Sequence, residues 1–96
     1  MKFLHLTFRF EFTEAVEGIL ERNGVARFVR YPMVQGRDRD GRHYGSKVFP
    51  GSITVVQAHV PDDIVAPLTE ELKSFREERE AHHHLEALFL HAEGAF

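Results

Sequence analysis

Residues 52–75, SITVVQAHVPDDIVAPLTEELKSF, decide the fold. The first nine, SITVVQAHV, are rich in β-branched side chains and read as a strand. Pro61-Asp62-Asp63 then opens a helix, with its acidic groups at the positive end. Ile64, Val65, Leu68, Leu72 and Phe75 recur at helical spacing and form one apolar stripe. Pro67 is expected near the first turn, where its missing N–H costs least. The following REEREAHH is polar and is expected to be solvated. Residues 84–92, HLEALFLHA, read as the next strand.

The same strand–helix–strand pattern lies upstream. Along residues 2–12, Leu4, Leu6, Phe8, Phe10 and Phe12 alternate with His5, Thr7, Arg9 and Glu11, the period-two signal of a half-buried strand. Thr13 is a suitable N-cap. Ala15, Val16, Ile19 and Leu20 form a short apolar stripe, and Asn23-Gly24 is a helix stop. Residues 25–34 read as a second strand, and Pro32 assigns it to a sheet edge because proline cannot donate to a ladder. Residues 36–51, GRDRDGRHYGSKVFPG, show no periodicity and read as a long loop.

The order β-α-β-β-α-β over residues 1–96 specifies one α+β domain of the ferredoxin-like class. Right-handed crossovers favour a four-stranded antiparallel sheet in order 4-1-3-2, with both helices on one face. The helix-free face would leave Ile53, Val55 and Phe89 in water, so it is expected to be an oligomer interface.

Composition excludes several function classes. The 43% hydrophobic and 28% charged content suits a globular chain, and the formal charge of −3 gives no general attraction to nucleic acid or anionic membrane. Cysteine is absent, which removes disulfides and thiolate metal sites. The alternating start is neither a signal peptide nor a span, so a cytoplasmic location is expected. No nucleophile with a paired base and no acid pair stand out, so the chain is not read as an enzyme. The open face lacks the stacked aromatic pair of RNA-binding sheets.

Two groups of residues invite a functional reading. The loop carries Gly36, Arg37, Arg39, Arg42, His43, Tyr44 and Lys47, an arginine-rich and glycine-rich set suited to phosphates and carboxylates. Its bland alternative is a solvated hairpin end. The second group is His5, His59 and His91, three of seven histidines. Taking Val56, Ala58 and Val60, and Leu88 and Leu90, as the helix-facing residues of their strands puts all three imidazoles in a row on the open face. Such a row is a shell for zinc or another divalent metal; its alternative is hydrogen bonding between subunits or plain exposure to solvent. The run His82-His83-His84 reads as a complement to the negative end of the second helix rather than as a metal site.

The chain resembles the PII-like superfamily of small signalling proteins. The shared features are a strand at the first residues, a short helix ending in Asn23-Gly24, a strand running into Gly36, a long loop, and a strand followed by Pro61-Asp62-Asp63. The resemblance implies a homotrimer with its open sheet faces inward. It also implies a long loop that senses ligands and touches a protein partner, with ligands in clefts between subunits. Nucleotide-binding members carry a glycine-rich basic loop between the second helix and the fourth strand, where this chain has AHHH. ATP is therefore not the expected ligand; a metal ion or another anion is.

Overall fold

The computed structural model describes residues 1–38, 41–43 and 52–94. Four strands form the main sheet: β1 (Lys2–Arg9), β2 (Val29–Val34), β5 (Ile53–Val60) and β6 (Glu86–His91). Two short strands, β3 (Gly36–Asp38) and β4 (Gly41–His43), form a separate hairpin. The helices are α1 (Thr13–Arg22) and α2 (Asp62–Glu78). The main sheet is antiparallel with order β2-β5-β1-β6, the order expected for its four strands.

The period-two reading of β1 holds through Arg9: Leu4, Leu6 and Phe8 are buried while their neighbours are not. Phe10–Phe12 leaves the strand as a single 3-10 turn, so Phe12 turns toward α2 instead of continuing the ladder. Thr13 is the first residue of α1 rather than its N-cap. Its hydroxyl donates back to the Phe10 carbonyl at 2.6 Å. The far end of α1 closes as expected. Gly24 adopts φ +85°, and the amides of Gly24 and Val25 bond the carbonyls of Glu21 and Leu20. That is the paired pattern of a left-handed helix stop, with Val25 and Leu20 both buried beneath it.

β2 is an edge strand, and Pro32 lies in its irregular stretch. The register with β5 shifts between Tyr31 and Val34, and Met33 takes φ +52°. Pro67 falls in the second turn of α2, deeper than expected, where it removes one helical hydrogen bond. Leu68 and Leu72 still bury fully against the sheet, and tertiary packing outweighs that loss.

The core is one cluster in which Leu4, Leu6, Phe8, Val56 and Val60 meet Val16, Ile19, Leu20, Leu68 and Leu72. Outside it, Arg22 and Asn23 of the α1 terminus both donate to the Glu71 carboxylate on α2. The Arg22 bonds, then that of Asn23, hold this carboxyl below its ordinary value of 4.5. A carboxylate lowered in the folded state adds stability above its unfolded pKa, and that stability is lost as pH falls through the folded value. The side chains are partly exposed, so the contribution is expected to be no more than ~1 kcal/mol. Thermal melts of Glu71→Gln should therefore match the parent more closely at pH 3 than at pH 7.

Among the described residues, the second sheet face carries no helix. Val29, Tyr31, Leu88 and Leu90 lie on it at 55%, 46%, 58% and 51% exposure, beside Val55 and Ile53. Among the described residues, no helix is long and apolar enough to cross a membrane.

Candidate functional site

The root of the 36–51 loop is built where β2 leaves the sheet beside the start of β5. Gly36 approaches Ile53 so closely that a Cβ there would stand 2.9 Å from its Cδ1. From this point the chain rises as the β3–β4 hairpin, pairing Gly36 with His43, Arg37 with Arg42 and Asp38 with Gly41. The stretch expected to lack regular structure thus holds a short ladder. Gly36→Ala is expected to cost about 1 kcal/mol or less, because the atom it meets is the free end of the half-buried Ile53 side chain, which can turn aside. Adding Ile53→Val, which removes the clashing methyl, should recover most of it in thermal denaturation.

A cleft of about 230 Å³ opens at this root. Gly36 and Arg37 border it on one side; Thr7 and the sheet residues Val55 and Glu86 lie on the other, with buried His84 at its inner wall. Arg37 is exposed and offers a guanidinium fork suited to a planar oxyanion. Glu86 also lines the cleft; its carboxylate can only accept, so it favours an anion that still carries a proton over one that does not. Of the loop residues singled out by sequence, Gly36 and Arg37 therefore meet at a cleft. Arg42 and His43 occupy β4 as backbone, and Arg39, Tyr44 and Lys47 lie outside the described residues.

A broader cleft of about 700 Å³ lies at the opposite end of the sheet. It is lined by Phe3, Arg27, Phe28, Gln57 and His59, which combine two phenyl rings with a guanidinium and an imidazole. The sequence pattern places Arg27 and Phe28 within a strand; β2 instead begins at Val29 and leaves them in the connection from α1. No local pattern in the sequence marks them as cleft residues.

The histidine row does not form. His5 lies opposite Gln57, with its Nδ1 3.5 Å from the amide nitrogen, and His59 lies opposite Phe3, its ring edge-on at 6.2 Å. Both are on the open face. His91 pairs with Lys2, and Phe89 with Leu4, so these two β6 residues share the helix face. Accordingly Phe89 packs on the core while Leu88 and Leu90 are exposed, the reverse of the expected phase. The electrostatics agree. Asp62 is held below the carboxylate range first by the Met1 ammonium 2.8 Å away, and also by Lys2 and His91. Among the described residues no three His, Cys, Asp or Glu side chains gather as a metal shell.

His82 is buried where solvent was expected, and His84 is buried beside it. His82 and His84 are 5% and 3% exposed. The His82 ring stacks on Phe75 at 3.9 Å and 7°, and meets Phe12 edge-on at 4.8 Å. Its Nδ1 lies 2.8 Å from the Phe75 carbonyl, which can only accept, so Nδ1 carries the proton. His82 thus serves the end of α2, as expected, but from inside the core. His84 stacks on the other side of the cluster, 5.4 Å from Phe12, and also reaches the loop-root cleft.

No protein-family model and no curated relative matches this sequence. Solved structures do. The apo form of CPII, a nitrogen regulatory PII-like protein from Thiomonas intermedia K12, superposes with TM-score 0.68 at 20% identity, covering 92% of this chain and 84% of that one. The same protein bound to ADP, AMP and bicarbonate gives TM-score 0.71 at 21% identity over 93% and 86%. A protein of Thermus thermophilus described as PII-like and signalling gives 0.57 at 13% over 93% and 87%. This chain has the fold those proteins share.

Proposed function

We propose that this chain is a divergent PII-like regulatory protein, a homotrimer with its open sheet faces inward, that senses a small oxyanion at the root of the 36–51 loop. The observation that carries the reading is the cleft between Arg37 and the sheet, at the base of an arginine-rich loop, in a fold shared with CPII. CPII is bound to ADP, AMP and bicarbonate. The cleft of one chain, about 230 Å³, is small for a nucleotide, since sites for drug-sized ligands run from ~300 to 1,000 Å³. It suits an anion of bicarbonate or acetate size, and a nucleotide would need surface from a second subunit. The AHHH connection supports the same preference. It is a tight 3-10 turn with two buried imidazoles, not a glycine-rich loop with free amides. The protein acts by binding, in the cytoplasm, and passes the ligand state to a protein partner through the loop.

Native mass spectrometry of freshly purified protein tests assembly and retained ligand together. Calorimetry with bicarbonate, acetate, AMP and ADP then tests the site. Bicarbonate or acetate is expected to bind, and Arg37→Ala to weaken it at least tenfold, about 1.4 kcal/mol, without lowering the melting temperature. A parent protein that takes up none of the four ligands would end the sensing proposal.

A further inference from the structure

Helix α2 and strand β6 do not close fully on one another. Between them runs a groove of about 530 Å³. Its floor is apolar: Leu72 and Leu85 are buried members of the core, Phe89 is half-buried and Ala87 is exposed. The register sets Ala87 opposite Leu6 and Phe89 opposite Leu4, so both stand on the helix face of the sheet. The groove floor therefore lies on the side away from the face assigned to the subunit interface. Glu86 and Leu88 also border the groove, although their register puts their side chains on the open face. Glu86 borders the loop-root cleft as well, so the two hollows adjoin there.

The cations of the groove gather on its helix side. Lys73 and Arg76, three residues apart, share one face of α2. The Nε of Arg76 donates to the Leu85 carbonyl at 3.0 Å, which fixes the guanidinium beside the floor while 40% of the side chain remains exposed. Its contact with the Glu77 carboxylate is long, 3.7 Å, and lies at the surface, so an incoming anion can replace it. Glu86 is the carboxylate among the described lining residues, and its side chain belongs to the opposite sheet face.

We propose that this groove binds a small amphipathic carboxylate, one with a short aliphatic or aryl body. A mostly apolar hollow of this volume with a few convergent polar groups has the general form of a small-ligand site. The apolar body covers Ala87 and Phe89. The carboxylate accepts from Lys73 and from the Arg76 N–H groups that the Leu85 carbonyl leaves over. An amphipathic cation meets the same floor but is repelled by the two charges. One chain supplies the whole groove, so the proposal rests neither on the trimer nor on anion sensing at the loop root.

The test uses the full chain and calorimetry with octanoate and octylammonium, which share an aliphatic tail and differ in charge. Octanoate should bind at one site per chain, at least tenfold more tightly than octylammonium. Lys73→Glu, at an exposed helix position, should weaken octanoate at least tenfold. Ala87→Phe, which fills the floor, should remove binding of both amphiphiles. Leu90→Glu, on the open face and outside the groove, should leave octanoate binding unchanged. Arg37→Ala alters the loop-root cleft but not the groove, so it should spare octanoate, and Lys73→Glu should spare bicarbonate. Failure of one site is thereby distinguished from failure of the other. No octanoate uptake by the parent, equal affinity for the two amphiphiles, or binding that survives Lys73→Glu overturns the inference. Loss of binding in Leu90→Glu does so too, because it moves the tail to the open face. So does dissociation of the parent oligomer by Ala87→Phe, because that assigns the groove to a second copy.

Discussion

Leu88→Glu with Leu90→Glu is expected to yield monomers under conditions where the parent protein is a trimer. Both leucines are more than half exposed in the isolated chain and lie on the helix-free face with Val29 and Tyr31. Fully burying a leucine contributes ~1.5–3 kcal/mol, so covering the exposed halves of two leucines contributes on the order of 2 kcal/mol per chain. The variant forfeits that gain and adds the cost of desolvating two carboxylates, several kcal/mol each where no partner cation is near. Multiplied over three chains, the change should shift assembly beyond the micromolar range. Light scattering on parent and variant decides it. The isolated fold should persist by circular dichroism, because neither side chain belongs to the core cluster. If the parent is itself monomeric, or the variant keeps the parent's mass, the open face is not the assembly surface.

The contrast between β1 and β6 shows which features the sequence makes legible. In β1 and β5 one face is strongly apolar and the other is mixed, so alternation carries its own phase and the burial patterns follow it. β6 has Leu88, Phe89 and Leu90 in succession, apolar on both faces, and such a run has no readable phase. The one-residue error moved His91 across the sheet and dispersed the expected metal row. Pro32 and Asn23-Gly24 were legible because each acts through its own backbone chemistry, whatever surrounds it. The clefts were not. Arg37 and His84 are far apart in the chain and meet only through the sheet order, and Arg27 is brought to Phe3 by where β2 happens to begin. The β3–β4 ladder was hidden because it sets Arg37 opposite Arg42, a like-charged pair that propensity does not favour.

In REEREAHH, residues 77–81 are exposed as the polar composition implies, but His82 is buried, and here the expected effect of one substitution is large. His82→Ala should destabilise the fold by ~3 kcal/mol. Removing a nearly buried ring that packs against Phe75 and Phe12 leaves a cavity, a change costing ~2 kcal/mol or more for side chains of this size. The lost Nδ1–H bond leaves the Phe75 carbonyl, in the last turn of α2, without that donor, at ~1 kcal/mol. For a domain of this length the sum lowers the melting temperature by roughly 12–24 °C. His82→Phe keeps the stacked ring but not the donor, and should fall between parent and alanine variant. His83→Ala, at a partly exposed neighbour whose Nδ1 lies 3.4 Å from an exposed Glu80 carboxylate, should cost less than ~1 kcal/mol. Denaturant titration of the three variants separates the roles. If His82→Ala is no more destabilising than His83→Ala, the imidazole is not a core element and the polar reading of this segment was right. If His82→Phe matches the parent, packing alone holds the turn and the hydrogen bond to the helix end adds nothing.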